Sequence, residues 1–323
     1  MCTAITFYAD NHYFGRNLDI ECSYDEHVIV TPRNFPLPFR NGILISDHPA
    51  IIGMATVSEG YPLYYDAMNE YGLSIAGLNF PGNSVYHPES PYKDNIAAFE
   101  LIPWILAQAK TCTEALALLD KINIWNISFN ANYPTTPLHW FMADRDRSVT
   151  IEPCAHGLKV YDNPVGVLTN NPPFSYHMQH LTDYLNLHPE TPVNPYANQV
   201  TLTPYSRGQG AIGLPGDLSS ASRFIRAAYT KLNSVIPSDE TDCVGQFFHI
   251  LTAVSQQAGC VKVGDLYEKT VYTSCCNMDT GVYYYTTYQN RQITGIHLLQ
   301  TPVNDNQLIR FPLRNTQAIR FEN

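Results

Sequence analysis

Cys2 concentrates more potential chemistry than any other residue of this sequence, which opens Met1-Cys2-Thr3-Ala4-Ile5-Thr6-Phe7. A residue this small at position 2 lets an aminopeptidase remove Met1, so the mature chain is expected to begin at Cys2. A thiol and a free α-amine then share one residue. The amine titrates near roughly 7.7–8 and the thiol near roughly 8.5, so the amine accepts the thiol proton with no imported histidine. Threonine nucleophiles activated by their own N-termini follow the same logic. Position alone fits a frayed terminus equally well.

Five further blocks carry residues of matching chemistry. They are Phe14-Gly15-Arg16-Asn17-Leu18-Asp19, Asn69-Glu70-Tyr71-Gly72-Leu73, Ala76-Gly77-Leu78-Asn79-Phe80-Pro81, Gly166-Val167-Leu168-Thr169-Asn170-Asn171-Pro172 and Leu214-Pro215-Gly216-Asp217-Leu218-Ser219-Ser220-Ala221-Ser222-Arg223-Phe224. In this order, behind a cysteine at position 2, they resemble the choloylglycine hydrolase family of N-terminal-nucleophile amidases. The likeness is closer to its bile salt hydrolases than to its penicillin V acylases, which often carry Tyr where Asn79 stands. It runs from Met1 to the Tyr283-Tyr284-Tyr285-Thr286-Thr287-Tyr288 stretch.

The resemblance implies Cys2 as nucleophile, Arg16 as the cation tuning it, and Asp19 beside its amine. It also implies Asn79 and Asn170 as oxyanion donors and Arg223 as a second cation, with no metal or organic cofactor. It implies hydrolysis of glycine- or taurine-conjugated bile salts and a homotetramer. Each residue type suits its role. A guanidinium favours thiolate over thiol, a carboxylate holds an ammonium, and an amide donor aimed at an oxyanion is worth on the order of 10²–10³ in rate. Each also has an ordinary account: Arg16–Asp19 as a surface ion pair worth about 0–1 kcal/mol, the asparagines as turn residues, Arg223 as a plain helix residue with Arg226 competing for its role. Penicillin V acylase or another N-acyl amidase is the alternative within this chemistry; a catalytically silent bile-acid or lipid binder is the alternative outside it.

The elements that must position these groups follow from pattern. Residues 2–8 alternate, Asp10-Asn11 turns, and 12–20 is extended, predicting a hairpin that brings Arg16 and Asp19 towards Cys2. Segment 22–48, with prolines at 32, 36 and 38, reads as irregular surface. Residues 49–57 read as a buried strand, and 64–69 with 72–80 as a second hairpin. Helices are expected over 96–110 and over 114–122 with Thr113 as N-cap, then a loop over 123–137. Short strands follow at 138–143, 149–153, 158–161 and 165–169. A short helix is expected at 175–185, loops to 221, then helices at 222–233 and 242–258, the latter closed by Gly259. Strands return at 271–277, 282–288, 292–298 and 308–313. The order predicts an α+β fold, a four-layer αββα sandwich of two antiparallel sheets covered by helices, with residues 1–323 as one domain. Apolar side chains for an acyl pocket are available at Leu18, Ile20, Tyr24, Tyr61, Leu63, Tyr65, Ile127, Phe129 and Leu138.

Composition bounds the partners. With 19 basic against 29 acidic residues, the formal charge of −10 argues against nucleic acid or an anionic membrane. No apolar run approaches the roughly 18–20 residues of a transmembrane helix, and no secretory signal opens the chain. The eight cysteines are therefore expected as reduced thiols in a cytoplasm, Cys275-Cys276 packing within a strand. Gly208-Gln209-Gly210-Ala211-Ile212-Gly213 matches a dinucleotide fingerprint only as a string, since no strand feeds it and Pro215 stands where its helix should open. His177 and His180, spaced i,i+3, read as surface histidines.

Overall fold

A computed structural model of the chain describes every residue except 195 and 197, so the loop expectation at those two positions lies outside the described residues. Two large sheets form the centre. The first runs Val167–Leu168, Cys2–Tyr8, His12–Ile20, Leu266–Asn277, Val282–Thr287, Thr294–His297, with Val261–Val263 paired onto Leu266–Asn277. The second has eight strands in the order Gly157–Asp162, Ser148–Cys154, Leu138–Ala143, Ser74–Asn79, Tyr61–Asn69, Ile51–Ser58, His27–Thr31, Ile309–Pro312. Every pairing within these sheets is antiparallel.

Two apolar clusters define the layers. One joins the facing surfaces of the two sheets, through Phe14, Met54, Ala76 and Phe141, and continues to the helices Ser220–Leu232 and Glu240–Thr252 through Phe224, Ile225 and Phe247. The other packs the outer face of the second sheet, including Ile51, Ile75 and Trp140, against helices Leu101–Leu106 and Cys112–Leu119. The fold is thus the expected α+β four-layer αββα sandwich. Gly15 is required where the hairpin meets Leu266–Asn277: a Cβ there would lie 2.1 Å from the Ser274 carbonyl oxygen.

Several boundaries differ from the sequence reading. The helix expected over 96–110 is a strand at Asp94–Ala97, a single 3₁₀ turn and a helix only from Leu101. Starting there keeps Pro103 in the first turn, where its missing N–H costs nothing. Asp94–Ala97 pairs in parallel with Ile122–Trp125, a strand that takes the last residue of the expected helix 114–122 and the start of the stretch read as loop. The next N-cap is Thr111, whose hydroxyl accepts from the Glu114 N–H, not Thr113. The helix expected to reach 258 ends at Thr252, because the Asn17 amide takes the Leu251 carbonyl and Thr270 Oγ1 accepts the Gln256 N–H. Within 22–48, His-Val-Ile-Val-Thr at His27–Thr31 is a buried strand. His177 is fully buried on the inner face of helix Phe174–Leu181 and stacks on Phe224 at 4.8 Å, so it is no surface histidine. Among the described residues no helix is long and apolar enough to cross a membrane.

Candidate active site

The first hairpin sets two faces around Cys2. Cys2 opposes Leu18 and Ala4 opposes Arg16, so side-chain alternation puts Cys2, Arg16 and Leu18 on the face towards the second sheet. Thr3, Asn17 and Asp19 project to the opposite face, where Asn17 reaches the Leu251 carbonyl and Thr3 meets Arg223 from helix Ser220–Leu232. One cation therefore approaches Cys2 from the sheet interlayer and another from the helix layer.

Arg16 is fully buried. Its guanidinium crosses to the second sheet, donating to the carbonyls of Tyr65 at 3.1 Å and Gly77 at 2.5 Å, and Nε donates to Asn17 O at 3.3 Å. Its Nη2 is buried with no partner. Burial disfavours its charge, but Cys2, Tyr272, Asp66 and Asp19 outweigh that and raise its proton affinity. Asp19 is equally buried; Oδ1 accepts the Thr270 hydroxyl at 2.6 Å and Oδ2 has no partner. Burial raises its pKa, opposed by Arg223, the Thr270 hydrogen bond, the N-terminal ammonium and Arg16. A buried donor and a buried acceptor left unpaired beside one residue are costly.

With Met1 present the Cys2 nitrogen is an amide, and it donates to Asn170 Oδ1 at 2.8 Å. The Met1 ammonium binds Asp19 O at 2.5 Å and the Glu268 carboxylate. Loss of Met1 turns the Cys2 nitrogen into the α-amine in the same place.

Asn170 is held on every side. Its N–H donates to Ser220 Oγ at 2.8 Å, its carbonyl accepts from His177 Nε2 at 2.9 Å, and the preceding Thr169 carbonyl meets His139 Nε2 at 3.0 Å. Its Oδ1 also accepts from Arg223 at 2.7 Å, and its Nδ2 donates one hydrogen to Asn79 O at 2.7 Å, leaving the second hydrogen free. Asn79 ends its strand. Phe80 N donates to Pro137 O across the ladder, so at the next pair, Leu138–Asn79, the Asn79 N–H turns away to the edge where Gly77 O binds Arg16. Arg223, fully buried, binds Cys2 O, Thr3 Oγ1 and Leu218 O, whereas Arg226 points away to the carbonyls of Pro215 and Asp217. Of the two arginines, only Arg223 contacts Cys2 and Asn170.

His177 couples this scaffold to pH. Burial lowers its pKa from 6.5 to about 4, with the Asn170 hydrogen bond and Glu152 opposing and His139 and Arg223 assisting. A folded pKa below the unfolded one means the unfolded chain binds the extra proton, so the contribution is complete above 6.5 and is lost as pH falls towards 4. Stability from chemical denaturation is expected to drop by about 2–3 kcal/mol more in wild type than in His177→Gln between pH 6.5 and about 4.5. Parallel pH dependences in the two proteins would contradict this assignment.

A cleft of about 380 Å³ opens at Cys2, Arg16, Asp19 and Asn79, within the range of roughly 300–1,000 Å³ typical of small-ligand sites. Of the nine apolar candidates, Leu18, Ile20, Tyr24, Leu63, Tyr65, Ile127, Phe129 and Leu138 line it. Tyr61 does not; it packs behind the wall against Phe99 and Phe129. Residues 132–136 also line the cleft, as suits the Asn- and Pro-rich loop 123–137, whose composition reads as one that could overhang a site; Phe99 and Ile102 line it too and were not singled out as pocket residues from sequence. Nor were Glu268, Ser220 and His139 as supports: each is a common residue type whose role depends on long-range packing, so no local signal marks it.

The five other residues proposed from sequence, Arg16, Asp19, Asn79, Asn170 and Arg223, thus gather around Cys2. A profile of the family described as "Linear amide C-N hydrolases, choloylglycine hydrolase family" matches residues 2–311. A protein of Lactiplantibacillus plantarum named bile salt hydrolase/transferase is 52% identical over 316 residues, 98% of each chain. The crystal structure of a conjugated bile acid hydrolase variant from Clostridium perfringens superposes with a TM-score of 0.92 at 35% identity over 100% of both chains. A penicillin V acylase from Agrobacterium tumefaciens shares the fold, with a TM-score of 0.74 at 16% identity over 96% of this chain and 91% of its own. A match across nearly the whole chain, on a fold that buries Cys2 at the foot of an apolar cleft, puts this protein in the choloylglycine hydrolase family of linear amide C–N hydrolases.

Proposed function

We propose that the chain, after losing Met1, hydrolyses the amide bond of glycine- or taurine-conjugated bile salts to free bile acid and amino acid. The observation that carries this is the Cys2 nitrogen held 2.8 Å from Asn170 Oδ1 at the foot of an apolar cleft whose lining includes Arg16 and Asp19, each with a buried unpaired atom, Nη2 and Oδ2. The α-amine takes the thiol proton, with Asp19 and Asn170 Oδ1 orienting it. The sulfur adds to the amide carbonyl, and the oxyanion is met by the Asn79 N–H and the free hydrogen of Asn170 Nδ2. The amine passes the proton to the departing nitrogen, the C–N bond breaks, and a thioester remains. Water, deprotonated by the same amine, then releases the acid and regenerates the thiol. Arg223 fixes the Cys2 carbonyl and Asn170 Oδ1 throughout. The names of the relatives and the apolar lining support the steroid substrate.

The same reading takes residues 1–323 as one domain, supported by the pairing of the N-terminal hairpin with Leu266–Asn277. It takes the protein as cytoplasmic, supported by eight unpaired cysteines. It takes it as a homotetramer, supported by the exposed apolar side chains of Leu185, Val193 and Tyr205 on one long loop.

Intact mass and amine release from glycocholate, taurocholate and penicillin V test the proposal together. Loss of one methionine with glycine or taurine release is the expected result. Turnover confined to penicillin V moves the substrate and keeps the mechanism. Retained Met1 with full activity overturns the mechanism.

A further inference from the structure

Arg16 leaves a question about its charge. Its guanidinium lies buried between the sheets, and its hydrogen-bond acceptors are three neutral carbonyls. A buried cation needs a buried countercharge, and Asp19 faces the other side of the hairpin. The second sheet supplies one. Asp66, the residue after the Tyr65 that accepts from Arg16, is fully buried and projects back across the same interlayer. Its Oδ1 accepts the Tyr272 hydroxyl at 2.5 Å, and its Oδ2 accepts Ser274 Oγ at 2.9 Å and the Tyr283 hydroxyl at 2.8 Å. Ser274 Oγ in turn accepts the Arg16 backbone N–H at 3.2 Å, so its own hydrogen goes to Asp66. Burial raises the Asp66 pKa, opposed by Arg16 and by these three hydrogen bonds; three hydroxyls converging on two oxygens suit the carboxylate form, which only accepts.

Asp66 does not line the cleft. Substrate therefore neither touches nor replaces it. The titratable and charged groups facing it are Arg16 from the hairpin, Tyr272 and Cys276 from Leu266–Asn277, and Tyr283 from Val282–Thr287. Those facing Cys2 are Arg16, Asp19 and Arg223.

We propose that Asp66 is a positioning residue for catalysis: held by Tyr272, Ser274 and Tyr283, it fixes the Arg16 guanidinium across the sheet interlayer so that Nη2 stays free for the Cys2 sulfur. This deepens the role given to Cys2 above and rests on it. Without the negative charge of the carboxylate, the guanidinium is no longer held across the interlayer, and the thiolate loses its cation.

The test is Asp66→Asn, with thermal unfolding as the check on folding and two readouts. On whichever amide the enzyme turns over, kcat falls about tenfold or more while KM stays within about threefold. The pH midpoint for alkylation of Cys2 by iodoacetamide, read by mass spectrometry with no substrate present, rises by about one unit. Tyr283→Phe keeps the carboxylate, removes one of its donors and gives a smaller shift in the same direction; it carries the test where Asp66→Asn does not fold. Unchanged midpoints make Asp66 purely structural, and a lowered midpoint makes it only a through-space charge; either overturns the proposal. Failure of the Cys2 assignment is read separately, as hydrolysis surviving in Cys2→Ala.

Discussion

Cys2→Ala loses amide hydrolysis by about 10⁴-fold or more while still binding the conjugated substrate. Alanine is as readily exposed by removal of Met1, so the α-amine remains in place and only the sulfur is lost. The cleft loses one small side chain among its apolar lining, which leaves the dissociation constant measured by calorimetry nearly unchanged. Cys2→Ser keeps a nucleophile and the same proton acceptor, and is expected to retain slow turnover above the alanine variant. Its hydroxyl is a far harder acid than a thiol, so the amine, with a pKa near roughly 8, no longer matches it. Hydrolysis at the wild-type rate in Cys2→Ala would put the nucleophile elsewhere. Among the other cysteines that is a poor prospect: Cys275 and Cys276 lie inside a strand with thiol pKa values pushed well up by burial, and Cys112 is raised by burial and by Asp144.

What was legible in the sequence divides along physical lines. The hairpin at Cys2 was readable because strand alternation and the Asp10-Asn11 turn are local, and they fix Arg16 and Asp19 to the partner strand without further information. Asn79 and Asn170 were readable as motif residues. The contact between them, Asn170 Nδ2 to Asn79 O, spans 91 residues and joins the two sheets, which no local pattern encodes. Helix ends were the least accurate feature. Thr252 and Thr111 are set by side chains competing for backbone groups, and the Asn17 amide that takes the Leu251 carbonyl comes from 234 residues away. Of the buried polar groups behind the site, His177 reads from sequence as a surface histidine and Asp66, His139 and Glu152 are not singled out there, because their partners come from other strands and helices.

Asn170→Ala is expected to cost about 10³-fold in kcat/KM, more than Asn79→Ala, although the proposed mechanism aims both asparagines at the same oxyanion. The difference follows from which atoms each contributes. Asn79 offers its backbone N–H, which alanine keeps; its side chain is exposed at the cleft. Asn79→Ala is therefore expected within about tenfold of wild type. Asn170 offers its side chain twice: Oδ1 receives the Cys2 nitrogen and Arg223, and Nδ2 holds Asn79 O while keeping one hydrogen for the oxyanion. Truncation removes the donor, unseats the α-amine and leaves the buried Arg223 short of an acceptor. Asn170→Asp separates these roles, since a carboxylate still accepts from the amine and from Arg223 but repels an oxyanion. It is expected to fold as wild type by thermal unfolding and to be as slow as Asn170→Ala. Rate constants for the four proteins on one conjugated bile salt decide the matter: near-wild-type turnover in Asn170→Asp would remove Asn170 from the oxyanion and leave it only as the seat of the amine.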